Sequence, residues 1–124
     1  MLEIGIKKEC EYLVKDKLSA LEIGSGDLLV LATPALLAFM ENCAKELVKN
    51  HLLDTDTTVG ISVNMSHLAP TKLNDKVKVI CTLTNIEKRI LTFEIEAYDS
   101  NNLISKATHQ RCIVNKEKFM GKLI

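Results

Sequence analysis

The chain is predicted to form an α+β domain in which a sheet packs on one face of a single long helix. Three features carry that expectation. From Pro34 to about His51, Leu36, Phe39, Met40, Cys43, Leu47 and Val48 recur at helical spacing. Two later runs alternate apolar and polar residues as half-buried strands do. In residues 76–86, Val77, Val79, Cys81 and Leu83 alternate with Lys76, Lys78, Thr82 and Thr84; in residues 89–98, Leu91, Phe93, Ile95 and Ala97 alternate with Thr92, Glu94 and Glu96. The helical pattern is followed by strands in succession, with no βαβ alternation.

Taken in order, residues 4–13 supply a first strand. Thr33 is a good N-cap and Pro34 a good first helical residue, because proline lacks the N–H that would be unpaired there and its φ is already helical. Residues 50–58 lose the periodicity and bring in Asp54 and Asp56 among Thr and Asn, which predicts a polar connection. Strands are then expected over residues 59–68, 76–86, 89–98 and 103–114, arranged as a meander. The connections at Glu87-Lys88 and at residues 99–102 are short enough for hairpins, so the sheet should be largely antiparallel. At 124 residues the chain accommodates one domain, residues 1–124, with one modest core.

Composition narrows the function classes. Hydrophobic residues make up 47% and charged residues 26%, as in ordinary globular domains. Sixteen Lys plus Arg balance sixteen Asp plus Glu, and there is no Trp; neither the charge nor the aromatic supply suits nucleic acid. The first eleven residues mix Glu3, Lys7, Lys8 and Glu9 into apolar positions, unlike a signal peptide, and no run approaches a membrane span; a cytoplasmic location is expected. Cys10, Cys43, Cys81 and Cys112 are widely spaced and expected to be reduced core thiols. His51, His67 and His109 are too irregularly spaced for a metal site, and Gly24-Ser25-Gly26 lacks the ending of a phosphate loop. No metal is expected.

Three residues stand out chemically. On a helical wheel Glu41 falls beside Leu37 and Val48 at the edge of the apolar stripe, which implies a half-buried carboxylate; the plainer reading pairs it with Lys45 at i+4. Thr33 needs no explanation beyond capping, yet a helix start also offers free N–H groups to a carbonyl gaining negative charge. His67 ends a strand-like run before Leu68-Ala69-Pro70, and could be a structural residue or a catalyst.

Together these residues carry a resemblance. The strings Thr33-Pro34-Ala35-Leu36-Leu37-Ala38-Phe39-Met40-Glu41-Asn42-Cys43-Ala44, Val59-Gly60-Ile61-Ser62-Val63-Asn64-Met65-Ser66-His67 and Thr108-His109-Gln110-Arg111 resemble the fluoroacetyl-CoA thioesterase-like family of hotdog proteins, over nearly the whole chain. The resemblance implies a hotdog fold, one long central helix wrapped by a curved antiparallel sheet, and hydrolysis of a small or medium acyl-CoA to free acid and CoA. It implies Thr33, Glu41 and His67 as the catalytic set, since the family's spacings of eight and twenty-six residues are kept. Gly60 would approach the acyl-CoA through its backbone, and Arg111 corresponds to a CoA-contacting arginine. Arg111 could otherwise be an outward strand residue paired with a neighbour. No cofactor is implied, CoA being part of the substrate.

In the founding member of the family that the chain resembles, fluoroacetyl selectivity depends on aromatic residues in a lid before the catalytic Thr. Residues 21–28 contain none, which favours a general acyl-CoA substrate. The alternatives are a non-catalytic acyl-CoA-binding module and a hotdog hydroxyacyl-CoA dehydratase. Thr33 and Glu41 would be separated by about 12 Å along the helix axis. The homodimer that the resemblance implies, with two helices across a two-fold axis, would let one site combine residues of both chains.

Overall fold

The computed structural model describes residues 2–124. Strand β1 (Lys7–Leu13) leads through a 3-10 turn (Asp16–Leu18) and a one-turn helix α1 (Ala20–Ile23) into the long helix α2 (Thr33–Lys49). Strands β2 (Asp56–His67), β3 (Lys76–Glu87), β4 (Ile90–Tyr98) and β5 (Leu103–Asn115) follow, then a short helix α3 (Lys116–Gly121). All pairings are antiparallel and the strand order is β1-β3-β4-β5-β2.

The α+β architecture matches expectation, with two corrections. The meander holds for β3, β4 and β5, but β2 lies beyond β5 rather than beside β3, so the chain crosses from one side of the sheet to the other between β2 and β3. An isolated hairpin rule joins neighbours in sequence; here β2 instead finds its partner about 50 residues on, at pairs such as Gly60 with Arg111. The helix start also moves by one residue: Ala32 is the N-cap, and Thr33 and Pro34 lie inside the first turn.

The alternation that marked the strands places Val77, Val79, Cys81 and Leu83 of β3 and Leu91, Phe93, Ile95 and Ala97 of β4 on one buried face. Against them α2 buries Leu36, Phe39, Met40, Cys43, Leu47 and Val48. Each Leu, Val or Phe taken fully out of water contributes about 1.5–3 kcal/mol, so this shared face anchors the helix across the sheet. Tyr12 of β1 stacks on Phe39, with centroids 4.5 Å apart, and its hydroxyl donates to Asn42. Register shifts at Gly60/Ser62 and Leu83/Asn85 bend the strands, as bulges do, and help the sheet curve around α2.

The four cysteines carry free thiols, but only Cys43 and Cys81 are buried; Cys10 and Cys112 are half-buried, because β1 and the end of β5 lie at the margins of the core. No helix among the described residues is long and apolar enough to cross a membrane.

Candidate active site

The start of α2 meets the end of β2. Thr33, in the first helical turn, places its Oγ1 2.7 Å from Nδ1 of His67, the last residue of β2. Capping does not account for Thr33, since Ala32 holds the cap position and the threonine hydroxyl is engaged by the imidazole. Pro34 has no N–H, which leaves the first turn with few backbone donors to compete for that hydroxyl. Burial pushes the His67 pKa below the ordinary imidazole range, so the ring is neutral at neutral pH and its Nδ1 can accept the hydroxyl proton. The far side of the ring, at Nε2, is buried against the backbone of Ala69, whose hydrogen bond offsets part of the burial effect.

Two turns along α2, Glu41 projects toward β5 with its side chain 43% exposed. Its Oε2 lies 3.8 Å from Nη1 of Arg111, whereas Lys45 faces Glu46 at the same distance; the i+4 pairing with Lys45 is not formed. Arg111 points inward, not outward, and is only 6% exposed. It shares the inner face of β5 with Ser105, Ala107 and His109, all buried. Its Nε donates to the Thr58 hydroxyl at 2.8 Å and its Nη2 to the Thr58 carbonyl oxygen at 2.9 Å. Nε, Nη1 and Nη2 each meet an acceptor and the carboxylate of Glu41 stands nearby, which offsets the burial of the charge, although desolvation lowers its pKa from the usual value.

Gly60 faces this cluster across the β2–β5 ladder, paired with Arg111. A Cβ at Gly60 would stand 3.0 Å from Glu41 Oε2, 3.3 Å from His109 Cε1 and 3.5 Å from Arg111 Nη1. Only glycine leaves its backbone open beside the carboxylate there.

The structure therefore gathers the five residues singled out in the sequence into two groups. Thr33 and His67 touch; Glu41, Gly60 and Arg111 adjoin one another. Within one chain the groups are apart: about 12 Å separates Thr33 from Glu41 along the helix, and about 23 Å separates Gly60 from His67 along β2 at ~3.3 Å per residue.

Thr58 and His109 were not singled out as site residues. The inward positions of β5 read Ser-Ala-His-Arg and the outward ones Lys-Thr-Gln, so no apolar alternation marks the face. The period-2 register that puts Arg111 inside does the same for His109, and that was the available signal. Among the described residues there is no cluster of three or more His, Cys, Asp or Glu able to hold a metal ion.

Comparison with known proteins adds the following. A family model described as fluoroacetyl-CoA-specific thioesterase, FlK, matches residues 14–117. The fluoroacetyl-CoA thioesterase of Streptantibioticus cattleyicolor is 28% identical over 94 residues, covering 76% of this chain and 68% of that protein. A solved structure of the fluoroacetyl-CoA thioesterase FlK superimposes with a TM-score of 0.94 at 22% identity, over 99% of this chain and 96% of the other. A thioesterase superfamily member from Thermus thermophilus gives 0.89 at 21% identity, over 98% and 90%. A hot-dog-like protein from Thermanaerovibrio acidaminovorans gives 0.87 at 19%, over 97% and 89%. These likenesses identify the curved sheet around α2 as the hotdog fold.

Proposed function

The chain belongs to the FlK family of fluoroacetyl-CoA-specific thioesterases, and from that membership we propose that it hydrolyses the thioester of a small or medium acyl-CoA in the cytoplasm, releasing free acid and CoA. It is a hydrolase acting on thioester bonds. The observation that carries the mechanism is the 2.7 Å contact between the Thr33 hydroxyl and His67 Nδ1, a nucleophile beside a base held neutral by burial.

In this reading Thr33 Oγ1 attacks the thioester carbonyl and its proton passes to His67 Nδ1. The C–S bond breaks, and the imidazolium returns the proton to the departing CoA sulfur. Water then adds to the acyl-threonine ester, gives a proton to His67, and releases the acid as Thr33 recovers its hydrogen. The carboxylate of Glu41 stabilises the transient imidazolium, and the open backbone at Gly60 receives the carbonyl oxygen.

These roles require the two groups to meet, and a second copy of the chain can bring them together. β2 is an outer strand of twelve residues in which Ile61 and Val63 are 50% and 40% exposed. A long apolar edge of this kind invites pairing with another strand. Antiparallel pairing of two β2 strands about a two-fold axis between Val63 and Asn64 would set Gly60 opposite the partner's His67, and Glu41 toward the partner's Thr33. The active form is then a homodimer with two equivalent composite sites.

The test is release of free CoA thiol from short, branched and aromatic acyl-CoAs by the wild type, Thr33→Ala and Glu41→Gln. Hydrolysis that drops about a hundredfold or more in both variants supports the reading. A panel left intact although its members bind would make the protein an acyl-CoA-binding module instead.

A further inference from the structure

Arg111 Nη1, which faces Glu41, meets a second buried group on its other side, the imidazole of His109. The imidazole is 2% exposed, sits against Phe93 with ring centroids 6.2 Å apart, and is held at both nitrogens. Nδ1 lies 2.8 Å from the Ser62 carbonyl oxygen and Nε2 lies 3.2 Å from Arg111 Nη1. A guanidinium has donors and no acceptor, so Nε2 must be the accepting nitrogen and Nδ1 must carry the hydrogen that goes to Ser62. The ring is thereby confined to one neutral tautomer. The Ser62 carbonyl is itself placed by the register shift between Gly60 and Ser62, the one irregularity in the β2–β5 ladder.

We propose that His109 is the positioning residue of the site: accepting from one hydrogen of Arg111 Nη1, it turns the other toward Glu41 and so holds that carboxylate beside the open backbone of Gly60. Thr58 fixes the far side of the same guanidinium through Nε and Nη2. Thr58 and His109 leave Nη1 a single free direction, and Glu41 Oε2 stands in it at 3.8 Å. His109 touches neither nucleophile nor thioester and acts through Arg111. The inference deepens the thioesterase reading and rests on it for its kinetic consequences.

The test compares His109→Leu, which fills a similar volume without an acceptor, with His109→Gln, whose side-chain oxygen can replace Nε2. Leucine is expected to lower kcat by about tenfold to a hundredfold with KM changed no more than about twofold, and glutamine to recover most of the loss. In a Glu41→Gln background His109→Leu should cost nothing further, since both changes act at one point. Nitrogen-15 NMR of the wild type should show the Nδ1–H tautomer at neutral pH and a slowly rotating Arg111 guanidinium. Wild-type kcat in His109→Leu, losses that multiply with Glu41→Gln, or an Nε2–H tautomer would each overturn the inference. If His109→Leu does not fold, the spectra and His109→Gln decide it. If the wild type cleaves no thioester, the functional reading fails and the spectra still decide whether His109 holds Arg111.

Discussion

Mixing two inactive variants tests the composite site directly. Thr33→Ala removes the hydroxyl at the His67 end, and Glu41→Gln removes the carboxylate at the Arg111 end. Eight residues of α2 separate them, about 12 Å of helical rise, against the 3.2 Å or less that a shared proton requires. Each variant alone should lose about a hundredfold or more in CoA release. Unfolded together in equal amounts and refolded, half of the dimers should be mixed. In a mixed dimer one site draws Thr33 from the Glu41→Gln chain and Glu41 from the Thr33→Ala chain, and is wild type; the other carries both changes. Activity should therefore return to about one quarter of that of the wild type, roughly 25-fold above either variant. Equal samples refolded separately and then combined serve as the control. Recovery no greater than the average of the two variants, with mixed dimers demonstrated by a mass tag on one chain, would refute the sharing of sites; so would a fully active monomer on a sizing column.

Other consequences follow from the same geometry. Because burial lowers the His67 pKa, the base is neutral at pH 7 and kcat should fall only on the acid side, with an inflection below ~6.5; an inflection above that value in a pH–rate profile would contradict the role of Nδ1. Burial depresses His109 as well, so the unfolded chain takes up protons first as pH drops through ~6.5 and stability is lost progressively from there downward; Tm measured over falling pH should decline, less steeply in His109→Gln. Gly60→Ala presses a methyl group to 3.0 Å from Glu41 Oε2 and should lower kcat about tenfold while circular dichroism shows an unchanged fold, because the carboxylate end can swing away. Phe93, fully buried beneath α2, should cost about 3–5 kcal/mol on truncation to Ala in urea unfolding.

Much of the fold was legible because its elements obey simple periods. The buried positions of β3 and β4 are those that alternation selects, and the α2 stripe from Leu36 to Val48 is the one it buries. What the sequence could not convey is where β2 goes, since no local pattern distinguishes a strand that pairs with its neighbour from one that pairs with β5. The pairing builds the candidate site: it sets Gly60 opposite Arg111 and brings His109 close to both. His109 and Thr58 escaped notice because buried polar residues look like surface residues until their partners are known. Thr33 shows the reverse, a residue whose local preference for capping concealed a long-range partner at His67.

The placement of β2 also bears on how the protein reaches its native state. β3, β4 and β5 are joined by hairpins and can pair as soon as they are made, whereas β2 must wait for β5, with Gly60 and Arg111 closing a loop of about 50 residues. Loop closure of that span is slow compared with hairpin formation. The Gly60–Arg111–His109 cluster therefore forms only once β5 is available to β2. A nascent chain that has not yet released β5 holds Thr33, Glu41 and His67 without Arg111 and His109 beside them.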